Sequence, residues 1–168
     1  CEANKIIEER GVVEVRAGRG TVTRTPTPDR VHSALLSLFR GRELPSIDSM
    51  ERLMEVRQVL EETVATLAAV RATPEDLDRM KDALARMERM ERIGTTSSDD
   101  GDPDLDFHLA VAAATHNPYF ELVLQPLTGV FLELISLTNL SAVGLEEHRA
   151  VYEAICDRNG IAGRQAVR

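Results

Sequence analysis

From residue 30 onward, apolar side chains return every three or four positions, the period of amphipathic helices that each bury one stripe. Residues 30–40 carry Val31, Leu35, Leu38 and Phe39 on one side, and 41–48 break the pattern. A long helix is predicted over 49–70, with Leu53, Val56, Leu60, Val64, Leu67 and Ala68 as its buried stripe. Thr73-Pro-Glu-Asp is a helix start, with Thr73 as N-cap and Pro74 in the first turn. That helix runs to about Ile93 and gives way to a flexible loop over 94–101. An alanine-rich helix over 104–115 ends at Asn117-Pro118, where Pro118 begins the next. The 118–139 stretch is strongly apolar, and Pro126 inside it predicts a kink. Residues 145–158 form another helix, stopped by Asn159-Gly160, and the last eight residues look like the start of one more.

The first 24 residues read differently. Glu2–Arg10 has helical spacing and meets a natural stop at Gly11. Residues 12–16 and 21–23 alternate as two short strands around an Ala17-Gly-Arg-Gly20 turn. Such a hairpin is too small to stand alone. Thr25-Pro-Thr-Pro-Asp29 follows as a linker stiffened by two prolines. The expected fold is mainly all-α: an antiparallel bundle of six to seven helices behind a helix-plus-hairpin appendage.

Composition narrows the function more than the fold. The sequence has no Trp and 4% aromatic residues, so Ala, Leu, Val and Met must fill the core, which suits helices. A net charge of −8 argues against a protein that coats nucleic acid over its whole surface. Residues 1–30, by contrast, carry a slight basic excess. Two cysteines, Cys1 and Cys156, are too few for a disulfide framework, and no apolar run approaches the roughly 20 residues that span a bilayer. The expectation is a cytoplasmic chain with no membrane partner.

Candidate chemistry concentrates on the 104–115 helix. Asp104 and His108 stand four residues apart and leave the helix on one face. A carboxylate oxygen and an imidazole nitrogen at that spacing can grip one divalent metal ion. They can equally form a plain Asp–His pair, the commoner use of this spacing. Asp106 lies two residues from His108, on the opposite side of the helix.

Two sets of motifs carry a resemblance. Glu2-Ala-x-x-x-Ile-x-Glu-x-x-Gly11-Val-Val-Glu-Val-Arg16-x-Gly-x-Gly20-Thr resembles the back end of a winged-helix DNA-binding domain of the GntR transcription-regulator family. Glu55-Val-Arg57-x-x-Leu-Glu61, Asp104-x-x-Phe107-His108, Asn117-Pro-Tyr119 and Glu147-His148-x-x-x-x-x-Ala154-Ile155 resemble the all-helical FCD-type effector domain of the FadR subgroup. The resemblance implies a partial winged-helix domain over 1–24, a linker and linker helix over 25–48, and an effector-binding and dimerisation domain over 49–168.

It further implies a homodimer that grips operator DNA, binds a divalent metal (zinc first, then nickel or manganese) and takes a small carboxylate metabolite as effector. Carried over by motif, Asp104, His108 and His148 are metal ligands. The family's fourth ligand, a histidine, falls in this register just past Arg168, and base-reading residues fall before Cys1. A segment cut at both ends is therefore expected. Arg16, Arg19 and Arg24 would contact DNA phosphates, which position a protein without reading sequence.

Each remaining candidate has a plainer role beside the functional one. Arg57, on the buried side of its helix, either pairs with Glu61 one turn on or clamps an effector carboxylate; the family context favours the clamp. His148, following Glu146 and Glu147, reads as a solvated histidine by pattern and as a ligand by resemblance. His116 is expected to meet the last carbonyls of its helix, Asn117 to shape the turn before Pro118, and Cys156 to be a small core residue. A structural dimerisation bundle with a degenerate pocket is the rival reading. A metal-dependent hydrolase ranks behind it, because no positioned general base stands out.

Overall fold

The computed structural model describes residues 13–16, 20–23, 30–34, 37, 47–95, 101–138 and 144–167. The expected helix over 2–10, the 25–29 linker and most of the 94–101 loop lie outside the described residues. Strands β1 (Val13–Arg16) and β2 (Gly20–Thr23) form the expected hairpin, antiparallel, with Val13 opposite Thr23 and Arg16 opposite Gly20. Residues 30–34 are helical. Six helices follow: α1 (Ile47–Arg71), α2 (Pro74–Ile93), α3 (Pro103–Ala113), α4 (Pro118–Thr138), α5 (Leu145–Cys156) and α6 (Gly160–Ala166). Behind the hairpin the fold is an all-α bundle. Among the described residues, no helix is long and apolar enough to cross a membrane.

Local chemistry sets the helix ends. At the start of α2, Thr73 and Asp76 form a capping box, each side chain serving the other's backbone N–H. The helix stops at Gly94, whose φ of 68° is the left-handed region that glycine tolerates. Asp102 caps α3 through the N–H groups of Asp104 and Leu105, with Pro103 in the first turn. Asn117 accepts from Tyr119 N–H ahead of Pro118, so it shapes the turn as expected. Helix α4 runs on through Pro126, whose ring removes one backbone donor. Helix α5 ends at Cys156, just ahead of the expected stop, and Asn159 caps α6 through Ala162 N–H.

Helix α1 is the spine, packed against α3, α4, α5 and α6, while α2 packs on α3 and α5. The main core gathers Val64, Ala65, Ala68, Met80, Phe107, Val111, Leu124 and Ile155. A second cluster, Met50, Leu53, Leu127, Val130 and Phe131, joins the first turns of α1 to α4. Small residues let α6 lie close. A side chain at Gly160 would come within 3.1 Å of the Thr66 carbonyl oxygen.

Three placements correct the sequence reading. Val56 is 52% exposed, because the buried line through Leu53, Leu60 and Val64 passes through position 57 and leaves 56 about 100° off it. Cys156 is exposed rather than in the core, one step beyond the buried Ile155. The backbone N–H of His116 meets the Ala113 carbonyl at 2.8 Å, but its imidazole turns to α2. Its backbone adopts φ 52°, and its Nε2 lies 3.1 Å from the Asp76 carboxylate on α2.

Candidate metal centre

The α1–α3–α5 junction brings three of the expected residues together. Asp104 and His108 project from α3, and His148 enters from the first turn of α5. One ligand atom from each lies within 4.8 Å of the others. His148 Nε2 is 2.8 Å from Asp104 Oδ1 and 3.3 Å from His108 Nε2, while His108 Nε2 is 3.9 Å from Asp104 Oδ1. Metal–nitrogen and metal–oxygen bonds of about 2.0–2.2 Å place neighbouring ligand atoms about 3.0–3.5 Å apart, so these separations bracket that spacing. Asp106 points elsewhere, to Arg86 at 2.7 Å.

The hydrogen bonds around the cluster settle which nitrogens face it. His148 is 2% exposed, and its Nδ1–H donates to the Gly144 carbonyl at 3.1 Å. Its Nε2 then faces a carboxylate. A neutral imidazole has only one N–H to give, so the contact needs either a second proton or a cation between the two groups. Burial works against charge on His148, but the hydrogen bond and charge of Asp104 outweigh it and hold the imidazole above its ordinary value. Burial likewise opposes ionisation of Asp104. The hydrogen bond from His148 and the charges around it prevail, and its carboxyl is held below the usual range. The donor set fits a divalent cation: two imidazoles and a carboxylate, with one contact that a cation would satisfy.

Arg57 completes the site from α1. It is 1% exposed and stacks on Phe131, its guanidinium carbon 4.7 Å from the ring centroid. Its Nε donates to Glu61 Oε1 at 2.8 Å, and its Nη2 donates to His108 Nε2 at 2.6 Å. Among the described residues its Nη1 is buried with no hydrogen-bond partner. Of the two roles weighed for Arg57, the pair with Glu61 forms.

Glu61 has more than that pairing role. The same Oε1 accepts from His108 Nδ1–H at 2.9 Å. Burial alone would raise the Glu61 carboxyl, yet the charges and hydrogen bonds of His108 and Arg57 hold it below its ordinary value. The i, i+4 spacing to Arg57 was the visible sign of Glu61. Its contact with α3 requires the α1–α3 packing to be known. A cavity of about 40 Å³ opens beside these groups, bordered by Met54, Phe107, Val111, Glu147 and, from α6, Ala166 and Val167. Of the arginines expected to meet DNA, Arg16 ends β1, and Arg19 and Arg24 lie outside the described residues.

Residues 52–168 match the FCD domain family. HTH-type transcriptional regulator LutR of Bacillus subtilis is 30% identical over 175 residues, covering 99% of this chain and 77% of that protein. The Uxu operon regulator of Haemophilus influenzae is 29% identical, again over 99% of this chain, which spans 62% of that relative. The solved structure of Streptococcus agalactiae GntR superimposes with a TM-score of 0.63 at 26% identity, covering 99% of this chain and 75% of that one. Fold and comparisons define the class: the helical effector domain of a transcription regulator, not an enzyme. The chain belongs to the FCD-domain regulators of the GntR family.

Proposed function

We propose that the helical domain binds a divalent metal through Asp104, His108 and His148 and a small organic acid through Arg57, and that this binding adjusts a dimeric regulator's grip on operator DNA in the cytoplasm. The observation that carries the reading is the buried Arg57 Nη1, unpartnered among the described residues, beside a cluster that calls for a cation. An unpaired buried donor costs about 1–3 kcal/mol, and a carboxylate on the guanidinium fork would remove that cost. When bound, the metal would supply a Lewis-acidic centre for an oxygen of the acid. The two imidazoles and the carboxylate favour zinc, with nickel or manganese next.

The roles of the chain's own groups follow from their contacts. Gly144 and Glu61 fix the two imidazoles, Phe131 holds the guanidinium in plane, and Phe107 packs edge-on against His148. An apolar border with Arg57 and the cluster as its polar end suits a small carboxylate. Residues 1–24 are read as the end of a recognition helix with its wing, where Arg16, Arg19 and Arg24 would contact phosphates. Residues 25–48 are read as the linker that passes the state of the 49–168 domain to that head. Such coupling requires the acid to bind the two arrangements of the dimer with different affinity.

A thermal-shift panel of short mono-, di- and hydroxycarboxylic acids, run with zinc and with a chelator, tests the reading. At least one acid should raise the melting temperature only in the presence of zinc, and Arg57→Met should lose that shift while still responding to zinc alone. Shifts of equal size in the native chain and the Arg57→Met variant would contradict the clamp.

A further inference from the structure

We propose that Glu61 is the positioning residue of this site, holding His108 and Arg57 in the one arrangement that turns a metal-facing nitrogen and two guanidinium amino groups to the same point. The proposal rests on the metal-and-acid reading above and adds to it a residue that neither binds the metal nor touches the acid.

One oxygen does both tasks. Glu61 Oε1 accepts from His108 Nδ1–H at 2.9 Å and from Arg57 Nε–H at 2.8 Å. Because neutral imidazole has a single N–H, giving it to Glu61 leaves Nε2 unprotonated, 3.3 Å from His148 Nε2 and 3.9 Å from Asp104 Oδ1. A carboxylate behind a ligating imidazole also raises its basicity and fixes its ring orientation. Arg57 is handled the same way. Its Nε is committed to Glu61, which leaves Nη2 on His108 Nε2 and Nη1 buried without a partner among the described residues.

A consequence for the order of binding follows. Arg57 Nη2 rests on the very lone pair that His108 would offer a metal. Were His108 to turn that lone pair to a metal, Arg57 would give up the Nη2 contact and keep Nε on Glu61. Both amino groups would then be available to one carboxylate, so a filled metal site would favour the acid clamp. Without Glu61 the imidazole could place its proton on either nitrogen, and the guanidinium would lose the anchor about which it turns.

The test is Glu61→Met, which keeps an unbranched side chain of similar length and removes both acceptor oxygens, with Glu62→Gln as control, since Glu62 faces Arg164 away from the cluster. Two readouts are taken on the folded chain: long-range proton–nitrogen spectra of the histidine rings without metal, and zinc affinity by competition with a chelating indicator. The native chain should hold His108 as a single Nδ1–H tautomer, and Glu61→Met should lose that preference. Its zinc affinity should fall roughly 10–100-fold, while Glu62→Gln changes neither. A Glu61→Met chain that melts lower yet keeps both the tautomer and the affinity would make Glu61 a mere brace between α1 and α3, and the proposal would fail. A native chain that binds no zinc, nickel or manganese would refute the metal reading instead. The tautomer readout still decides on Glu61, because a proton on His108 Nε2 in the native chain overturns its role whatever binds.

Discussion

Position 57 decides the character of this bundle. A line of Leu53, Leu60 and Val64 runs down α1 into the core, and the residue that continues it is an arginine. A guanidinium that deep survives only because Glu61, His108 and the face of Phe131 surround it. The apolar neighbour, Val56, is left in solvent, so a reading that ranks positions by hydrophobicity inverts the pair. Asp104 and His108 were legible as a pair from their i, i+4 spacing, and His148 only from motif resemblance, since nothing local in Glu146-Glu147-His148 marks it as buried. The partnership of Glu61 with His108 was not legible, because it spans two helices 47 positions apart in the chain.

A second buried acid, Asp76, gives a prediction at the same scale. Its burial would raise the carboxyl, but the N–H and hydroxyl of Thr73, together with His116 and Arg79, hold it below its ordinary value. A depressed carboxylate contributes stability that is complete above its unfolded value of about 3.9 and is lost as pH falls through the lower folded value. Asp76→Ala should therefore cost about 1–2 kcal/mol at pH 7, the usual size of a lost cap. That cost should shrink below about pH 4. Urea unfolding of both proteins at pH 7 and near pH 3 checks this, and a penalty that does not change with pH would contradict it.

Among the elements, α1, α2 and α4 were readable because caps and stops coincide with their apolar periods: Thr73-Pro74, Gly94 and Asn117-Pro118 each fall where a helix begins or ends. Helix α6 was only half readable. Its seven residues carry little periodicity, and what holds it is close backbone approach to α1 rather than a stripe of large side chains. The two glycines of α6 differ in this respect. A methyl at Gly163 would sit 3.4 Å from the Ala65 carbonyl oxygen, an ordinary contact, whereas at Gly160 it would sit 3.1 Å from the Thr66 carbonyl oxygen, an immobile neighbour. Gly163→Ala should accordingly be neutral or stabilise by up to about 1 kcal/mol through helix propensity. Gly160→Ala should lower the melting temperature by prising α6 off α1, and with it Ala166 and Val167 off the cavity. Equal effects of the two substitutions would show that close packing does not hold α6.

At the scale of the whole molecule, the helical domain is a single spine with the candidate site at its waist. The cluster sits where α1, α3 and α5 meet, and Arg57 links it through Phe131 to the α1–α4 cluster of Met50, Leu53, Leu127 and Val130. That cluster occupies the end of α1 nearest in sequence to the 25–48 linker, so a change at Arg57 has a packed path toward the front of the chain. Whether such a path carries a signal depends first on whether the site is filled.

Metal content of the purified chain, measured by elemental analysis beside its melting temperature with and without a chelator, tests that directly. About one metal per native chain is expected, with a melt that the chelator lowers, and neither result in Asp104→Ala or His148→Ala. Native protein with no metal and an unmoved melt, or variants that keep the native metal content, would contradict the account at its centre.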